Sequence, residues 1–436
     1  MGLGFTMYFP LENSGNYSKK NYEKYFSGLS SVVPEWNTAF SSSSEGFCVK
    51  LVPFEEEIYG DWELSTSPQG EVSRVESRLR VSAKTNSAGP GYHAYLIDIM
   101  DKLGIEPLEV EDETGYWENR DFGLLQEEMS EWLRGLGAQI LKMSKTGEYK
   151  NIAVSLEIDN LPEDSNHLTC CPLGYFEKEF YEKTQSGSSN SKEFFIWWNR
   201  EQDALFYRNC ALNLIWCENN WLPPEMDDER MIAAATLGCL EKAYTMDTCL
   251  EYPEPEWLEL ALLTDDKALL NTIQKRFGAA KNAALGYRRG TICSNANGWR
   301  ISHSGQMHFD TEDDGTLVWW DDDRTIRVST LSFRWKEEIK PDSEALLKDA
   351  ISNEEGCERF SLRDGQIAAA IQHTQIEENG EPLWQTRLTA ALTDKLLILS
   401  IYYIDESDRN WAAEICASVT NSSSNSENNQ QENEGD

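Results

Sequence analysis

Basic side chains are scarce in this chain. Its 39 Lys plus Arg residues stand against 75 Asp plus Glu residues, which gives a formal net charge of -36. Nucleic acids and anionic lipid surfaces are themselves polyanions, so a surface of this sign repels both. The same surface attracts cations and basic proteins. The imbalance therefore predicts no nucleic-acid partner and no membrane partner, and it favours a basic protein as the binding partner.

Long apolar runs are also absent. No stretch approaches the ~20 apolar residues that a helix needs to cross a bilayer. The segment Met1–Leu11 has neither a basic start nor a sustained apolar stretch, so we expect no secretory signal. Met1, Gly2 and Thr6 match the N-myristoylation pattern, but no polybasic segment follows to supply a second anchor. These absences predict a cytoplasmic protein.

The ten cysteines lack the spacing of a metal or redox site. There is no C-x-x-C, and Cys170 and Cys171 are adjacent, a geometry that strains a disulfide. Most of the others lie among apolar neighbours. We expect reduced thiols that pack as small hydrophobic side chains, which agrees with a reducing compartment.

Familiar catalytic and cofactor motifs are missing as well. The sequence has no G-x-S-x-G, no G-x-G-x-x-G, no P-loop and no H-E-x-x-H. His303 and His308 are five residues apart, which puts them on opposite faces of a strand, and we expect both to be solvated turn residues. The sequence therefore predicts no catalytic residue, no cofactor and no metal.

One acidic segment partly matches a calcium-binding loop. Asp310–Gly315 places carboxylates at the first, third and fifth positions and glycine at the sixth, and Asp321 falls at the twelfth. Glu takes the third position and Asp replaces the bidentate Glu, while Leu317–Trp320 has strand composition. A tight acidic hairpin turn is the favoured interpretation.

His93 is the one histidine with neighbours suited to acid–base chemistry. It follows Gly-Pro-Gly-Tyr at a predicted helix start, with Asp98 and Asp101 on the same helix. A general base is one interpretation. A capping or partly buried histidine is the favoured one.

The residues that are present describe a folded chain of several parts. Apolar residues make up 40% of the sequence, including 15 Trp, and 436 residues predict two or three domains. The predicted fold class is α+β, with a mixed N-terminal domain that includes a helical section, followed by a C-terminal domain of antiparallel sheet plus two helices. The predicted parts are a loosely ordered segment 1–45 with one helix near Tyr22–Leu29, an α+β domain 46–290 with an irregular surface insertion 160–192, an α+β domain 298–420, and a disordered tail 421–436.

Within the N-terminal domain, strand patterns precede helical ones. Apolar periodicity predicts helices over Tyr92–Leu103 and Phe122–Leu136, and several more between Asp203 and Tyr287. The predicted strands are Phe47–Phe54, Ile58–Ser65, Val72–Ala83, Ile152–Ile158 and Phe194–Trp198.

The C-terminal pattern resembles a known family. Residues 298–420 run as a strand pair, a helix, a series of antiparallel strands and a closing helix that ends Trp411-Ala-Ala-Glu-Ile415-x-x-Ser418-Val419. This order is similar to that of the PsbP-like α+β sandwich, a family of small binding modules without bound ligands. The resemblance implies no catalytic residues. It does imply protein binding, because such modules in bacteria include immunity-type partners of toxins.

Two segments combine carboxylates with aromatic side chains, which suits an interaction surface. The first is the loop between two predicted helices, and the second follows a Trp pair at the end of a predicted strand. Either segment is also compatible with simple packing. The predicted binding residues are Glu113, Tyr116, Trp117, Asp121, Trp320, Asp321, Asp322 and Asp323.

Three function classes follow from these patterns. The leading hypothesis is an acidic cytoplasmic protein that binds and neutralises a basic protein, as an immunity protein does with a cationic toxin. The alternative is an enzyme with a dispersed carboxylate and histidine site, such as a hydrolase that uses residues 93–121. The third is an acidic DNA mimic or structural protein.

Overall fold

A computed structural model gives the architecture of most of the chain. It divides the described residues into two units: the first extends to Gly286 but omits Asn220–Leu222, and the second comprises Asn220–Leu222 and the residues from Tyr287 onward. The described residues are 2–12, 15–33, 36, 38–51, 53–54, 56–65, 76–146, 152–154, 167–186, 191–278, 283–335, 342–351, 356–362, 367–378 and 380–421.

An antiparallel sheet organises the start of the first unit. Within the described chain it has six strands in the order β2-β3-β4-β5-β1-β6. In β1, Phe5, Met7 and Phe9 point into the core and alternate with Thr6 and Tyr8, which face outward. The strands are β1 Gly4–Pro10, β2 Ala39–Ser42, β3 Gly46–Lys50, β4 Glu57–Ser65, β5 Glu76–Lys84 and β6 Glu109–Asp112.

The prediction that residues 1–45 are loosely ordered is wrong for the part of this segment that the structure describes. Strand β1 lies between β5 and β6; it pairs with β5 over its whole length and with β6 over Phe5–Tyr8. Helix α1 (Lys19–Ser27) follows, with the Ser18 hydroxyl accepting a bond from the Asn21 N–H and with Phe26 fully buried. The alternating Phe5, Met7 and Phe9 outweigh the polar average of the segment.

Close backbone packing explains the Gly-Pro-Gly sequence before helix α2 (Pro90–Lys102). Gly89 has a φ of 110°, and the Gly91 N–H donates to the Trp197 carbonyl oxygen at 2.9 Å. A Cβ atom on Gly91 would lie 2.0 Å from Cδ1 of Trp197. Only glycine allows α2 to approach this segment so closely.

Helices make up most of the rest of the first unit. Asp203 and Asp266 cap α7 and α10 by accepting the N–H groups of Phe206 and Leu269. The helices are α3 Tyr116–Asn119, α4 Phe122–Thr146, α5 Lys178–Gln185, α6 Ser191–Phe194, α7 Ala204–Cys217, α8 Asp227–Met246, α9 Glu254–Leu263 and α10 Lys267–Phe277.

Two predictions in this unit are wrong. Phe194–Trp198 is not a strand: Phe194 ends α6, and the next residues form an irregular segment with Phe195 and Trp197 buried. A short apolar run fits a buried irregular segment as well as a strand.

Residues 167–186 of the predicted irregular insertion are ordered, because Cys170, Cys171 and Tyr181 belong to the core. They contain α5 and, in a small sheet with β7 Ile152–Ala153, strands β8 His167–Cys171 and β9 Gly174–Glu177.

The second unit is built from two sheets. In the described residues a three-stranded sheet has the order β10-β11-β19, and a seven-stranded sheet has the order β12-β13-β14-β18-β17-β16-β15. The elements are β10 Thr291–Ala296, β11 Trp299–Ser304, β12 His308–Thr311, β13 Leu317–Trp320, β14 Arg324–Ser332, α11 Ser343–Ala350, β15 Cys357–Leu362, β16 Ile367–Glu378, β17 Glu381–Ala391, β18 Lys395–Tyr403, α12 Arg409–Ala417 and β19 Thr420–Asn421.

The second unit has apolar side chains packed on both faces of the larger sheet. Trp299, Ile371 and Leu399 share one cluster, and Trp411 of α12 packs against it while staying partly exposed. Leu346 of α11 belongs to a separate cluster on the opposite face. The two clusters are separate because alternate residues of β16–β18 face opposite sides of the sheet.

The chain is an α+β protein, as predicted. No helix among the described residues has both the length and the apolar character needed to cross a membrane. Residues 422–436, most of the predicted disordered tail, lie outside the described residues; Asn421 pairs with Trp299 in the smaller sheet.

Candidate binding surfaces

The outer face of the six-stranded sheet is polar and carries a groove. Alternate residues of β1, β4 and β5 point away from the core, and the cross-strand register aligns Thr6, Tyr59 and Ser82 in one row. The groove has a volume of about 480 Å³. We call it the sheet groove; its charged and aromatic lining residues are Phe5, Glu56, Glu57, Tyr59, Arg80, Lys84, Glu111 and Glu113.

Glu57 is held as a carboxylate in the sheet groove. Its Oε2 accepts bonds from the Tyr59 hydroxyl at 2.6 Å and the Cys48 thiol at 3.1 Å. The bond from Tyr59 is the main cause that lowers the pKa of Glu57, against the opposing effect of burial. In return the bond to Glu57 raises the pKa of Tyr59 to about 12, while burial and then Glu57 raise that of Cys48 to about 12. Cys48 is therefore a neutral thiol and a poor nucleophile.

The cations of the sheet groove are already matched by carboxylates. Lys84 pairs with Glu113 at 3.2 Å, and Arg80 lies 3.6 Å from Asp61. Glu111 is exposed in strand β6 and makes no ion pair with a described residue. Glu57 lies opposite Lys50 of β3, whose charge contributes to its lowered pKa. Glu111 is therefore the groove carboxylate that keeps its charge without an ion pair to a described residue.

The predicted binding residues of the loop after β6 do not share one surface. Glu113 faces the sheet groove, whereas Tyr116 is only 4% exposed and packs edge-on against His93. Trp117 is half-buried with the Arg120 guanidinium 4.4 Å above its ring. Asp121 accepts the Gly123 and Leu124 N–H groups at the start of α4. Only Glu113 belongs to the groove.

His93 lies beneath this loop and is completely buried. Its Nδ1 is 2.9 Å from the Thr85 hydroxyl, and its Nε2 is 3.2 Å from the Thr114 hydroxyl and 3.4 Å from Asp112 Oδ1. Both ring nitrogens are thus occupied within the protein, and no solvent-facing position is left for a general base. The prediction of a capping or partly buried histidine understates this burial.

Asp112 uses its carboxylate to organise the loop. It accepts bonds from the Thr114 N–H at 2.9 Å, the Thr114 hydroxyl at 2.8 Å and the Trp117 N–H at 2.7 Å. Burial would raise the pKa of Asp112, but His93 and these N–H donors outweigh it and lower the pKa to about 2. The arrangement fixes the loop that carries Glu113.

The predicted binding residues in the second unit lie at the turn between β13 and β14. Asp322 and Asp323 are exposed, while Asp321 is half-buried and its Oδ1 accepts the Asp323 N–H at 3.1 Å. Trp320 is half-buried, and its ring centre lies 5.4 Å from that of His308. The acidic turn is therefore accessible, but its aromatic neighbour is partly covered.

The acidic segment Asp310–Gly315 and the histidines His303 and His308 have structural positions in the second unit. Strands β12 and β13 pair across the acidic segment, as the predicted hairpin turn requires. His303 and His308 are 2% and 5% exposed, so the prediction that they are solvated is wrong. The His303 Nε2 is 2.8 Å from the Ser294 hydroxyl, and burial is the main cause that lowers its pKa, to about 4. Among the described residues no group of three His, Cys, Asp or Glu side chains is placed to hold a metal ion.

All ten cysteines are free thiols. Cys249 is exposed, which differs from the expected packing, whereas Cys170, Cys171, Cys210 and Cys239 are buried. Burial raises the pKa of Cys170 and Cys171 to about 12, so both are neutral.

Sequence reasoning missed Glu57, Tyr59 and Glu111. The groove forms because β1 lies between β5 and β6. These strands are far from β1 in the sequence, so no short stretch of sequence predicts their pairing. The signal that could have found it is the alternation of polar residues at positions 57, 59, 61 and 63 and at 78, 80, 82 and 84.

No family model matches this chain, and no curated protein matches it. Among solved structures, a protein from Bacteroides thetaiotaomicron VPI-5482 matches 30% of this chain at 10% identity with a TM-score of 0.26, and the match spans about half (48%) of that protein. Cyanobacterial PsbP (CyanoP) from Synechocystis sp. PCC 6803 matches 34% of this chain and 99% of its own length, at 8% identity with a TM-score of 0.19. The resemblance of residues 298–420 to the PsbP-like family stays a prediction.

Proposed function

We propose that this protein binds a basic protein through the sheet groove and neutralises it in the cytoplasm, as an immunity-type partner does. The observation that carries the proposal is the charge state of the groove. Lys84 and Arg80 are paired with carboxylates, whereas the exposed Glu111 has no ion pair with a described residue and keeps negative charge that an incoming cation can meet.

The sheet groove also exposes an aromatic ring, that of Tyr59, to a binding partner. Tyr59 is 49% exposed, and its hydroxyl is fixed on Glu57, so its ring presents a preoriented face. A Lys or Arg side chain that reached Glu57 would pass beside this ring, where cation–π attraction adds to charge pairing. Aromatic and Arg anchors of this kind commonly contribute most of the affinity of an interface.

The enzyme alternative has less support in the predicted region. His93 is sealed from solvent with both ring nitrogens occupied, and Asp112 is engaged by three donors. A hydrolase that used residues 93–121 would need an exposed base or nucleophile.

A charge-reversal experiment tests the proposal. Tagged protein is used to capture partners from an extract of the source organism, in the wild type and in the Glu111→Lys variant. Glu128→Lys on α4 is the matched control, because Glu128 is exposed and the change in net charge is the same. We expect a basic protein to be captured by the wild type and the control, and captured much less by Glu111→Lys.

Salt dependence supplies a second measurement on the captured partner. Exposed charges are screened over ~8 Å at physiological ionic strength, so the association rate should fall as salt rises. The proposal fails if no basic protein is captured, if Glu111→Lys and Glu128→Lys behave alike, or if the association rate is indifferent to salt.

A further inference from the structure

The open face of the seven-stranded sheet carries a second surface, distinct from the sheet groove. Helix α11 covers one end of this face, through Leu346 and Leu347. Towards the other end, Tyr402, Gln385 and Thr374 form one row across β18, β17 and β16. The Gln385 amide donates to the Tyr402 hydroxyl at 2.9 Å, and the Thr374 hydroxyl donates to Gln385 Oε1 at 3.4 Å.

The next residues on this face, two positions closer to the hairpin that joins β16 and β17, are apolar. Because side chains alternate between the faces of a sheet, Leu383 and Ile376 lie on the same face as this row. Ile404 directly follows β18, and its N–H donates to the Asp323 carbonyl oxygen, which continues the pairing of β18 with β14 and puts Ile404 two residues beyond Tyr402. Ile404 is 57% exposed and Ile376 is 37% exposed. We call these three residues the apolar strip.

Carboxylates border the apolar strip at the outer end of the sheet. Glu381 of β17 is exposed and lies on the same face as Leu383, and Asp405 and Glu406 are exposed directly after Ile404. At the β14 end, the Asp323 carbonyl oxygen accepts the Ile404 N–H at 3.2 Å, which places the acidic turn beside the strip. The inner side of the strip is bordered by the neutral row of Tyr402, Gln385 and Thr374.

The spacing of the apolar strip matches one face of a helix. Neighbouring strands are about 4.8 Å apart, so the three side chains recur at that interval across the sheet. Helical residues three or four apart are separated by roughly 4.5 to 6 Å along the axis. A helix that crosses the strands can therefore place an apolar residue on each member of the strip.

We propose that the apolar strip binds an amphipathic basic helix laid across β16, β17 and β18. Its apolar stripe covers Ile376, Leu383 and Ile404, its Lys and Arg residues meet the carboxylates at the outer end, and its opposite flank is neutral and polar. The proposal rests on the proposed function in taking the partner to be basic, and it adds the kind of segment and a separate surface. Charge complementarity around an apolar centre is the recognition mode by which grooves bind such helices.

The test uses an 18-residue fluorescent peptide with Leu on one helical face, Lys on one flank and Gln elsewhere. The control peptide has the same composition in an order that spreads Leu around the helix. Binding to the full chain is measured by anisotropy at physiological salt. We expect the amphipathic peptide to bind at least about tenfold more tightly, because only it buries the strip.

Variants of the full chain locate the binding. Ile404→Ser should weaken the amphipathic peptide about tenfold and leave the control peptide unchanged. Leu331→Ser is the matched control, since Leu331 is 52% exposed in β14 and lies outside the strip. Ile376→Ser is a second test variant if Ile404→Ser does not fold. Equal binding of both peptides, or equal losses in Ile404→Ser and Leu331→Ser, would overturn the proposal.

The two proposals fail separately. Glu111→Lys should leave peptide binding unchanged, because Glu111 belongs to the sheet groove. If peptide binding is indifferent to Ile404 while partner capture depends on Glu111, only the apolar strip is wrong. If capture is indifferent to Glu111 while the peptide requires Ile404, the sheet groove is wrong and the strip stands.

Discussion

His93 Nε2 and Asp112 Oδ1 lie 3.4 Å apart in the first unit, with the histidine side chain fully enclosed and the Asp112 side chain 3% exposed. The Thr114 hydroxyl contacts both, and it joins helix α2 to the loop that begins at the end of β6. Neither group reaches solvent. The pair therefore acts as a structural tie that positions Glu113 at the sheet groove, and it has no free atom for acid–base chemistry.

Removing the charge of this tie should destabilise the first unit. Asp112→Asn replaces a carboxylate that accepts three bonds, so we expect a loss of about 2–3 kcal/mol in the free energy of unfolding. Urea titration measures it. Glu111→Gln, next in sequence but exposed, should change stability by less than about 0.5 kcal/mol. If the two variants lost the same free energy of unfolding, the Asp112 carboxylate would not be what stabilises the loop after β6.

The same tie gives a pH dependence. The pKa of Asp112 is about 2 in the folded protein and ~3.9 in an unfolded chain, so the unfolded state binds the proton first as pH falls. Its contribution, roughly 2 kcal/mol, is present above pH ~4 and is lost as pH falls through 2. Unfolding of Asp112→Asn should lack this component of the acid transition.

His303 predicts a second pH effect in a higher window. Its pKa is about 4 in the folded protein and ~6.5 unfolded, so the unfolded chain binds the proton first on acidification. The contribution, up to roughly 3 kcal/mol, is complete above pH ~6.5 and is lost as pH falls through 4. The His303 Nδ1 lies 2.7 Å from the Ser304 carbonyl oxygen. Comparing urea unfolding at pH 4.5 and 7 should show a smaller pH effect in His303→Asn, whose side-chain amide can still donate to that oxygen. An unchanged pH effect would remove His303 as its source.

The closing helix of the second unit contributes less than a fully buried Trp would. Trp411 is half-buried, with the Arg324 guanidinium 4.7 Å from its ring centre, whereas Trp299 is 0% exposed. We expect Trp411→Ala to cost about 1–2 kcal/mol and Trp299→Ala about 3–5 kcal/mol. Denaturant unfolding of the two variants checks the order. A cost for Trp411→Ala near zero would mean that α12 is not docked.

The close approach of α2 is testable at one glycine. A Cβ on Gly91 would lie 2.0 Å from Trp197 Cδ1 and 2.4 Å from the Asn199 carbonyl oxygen, so Gly91→Ala should destabilise by about 2–3 kcal/mol or more. Gly135 in α4 has no atom within 4 Å of such a Cβ, and Gly135→Ala should instead stabilise by about 0.5–1 kcal/mol. The midpoint temperature of thermal unfolding should therefore fall in Gly91→Ala and rise in Gly135→Ala.

The acidic turn of the second unit should steer a basic partner without holding the fold together. Asp322→Lys with Asp323→Lys changes two exposed side chains, and we expect the association rate to fall by a factor of about three to ten with stability unchanged. Asp349→Lys with Glu358→Lys changes the net charge equally elsewhere on the unit. Stopped-flow kinetics measures the association rate of each double variant with the basic partner. Equal rates would show that net charge alone, and not the position of the acidic turn, sets the association rate.

Helices were the most predictable elements, because their apolar residues recur within a few positions. The helix predicted over Phe122–Leu136 is α4, which buries Leu125, Met129 and Leu133 at intervals of four and continues to Thr146. Strand β1 was missed for the opposite reason. Its partners β5 and β6 begin at Glu76 and Glu109, and pairing over such separations leaves no local signal beyond the alternation of Phe5, Met7 and Phe9.

The candidate surfaces show the same limit. Glu113 was found because its loop is dense in charge and aromatic rings, but its neighbours in the sheet groove come from other strands. The apolar strip could not be predicted from the sequence, since Ile376 and Leu383 belong to two strands and Ile404 follows a third, and all three look like ordinary core residues of an alternating pattern. Which face of a sheet stays open depends on tertiary packing, here on the short reach of α11.

The pairing of β19 with β11 has a consequence for synthesis of the chain. Ser418 reaches back 116 residues to accept the Ser302 N–H, and Asn421 aligns with Trp299. Contacts of such long sequence separation form late, because the intervening chain must first be ordered. During translation the second unit therefore remains open, with the Trp299 side of its core exposed, until its last strand has emerged. We expect the nascent chain to depend on chaperones at this stage, while the first unit can fold once Gly286 has emerged.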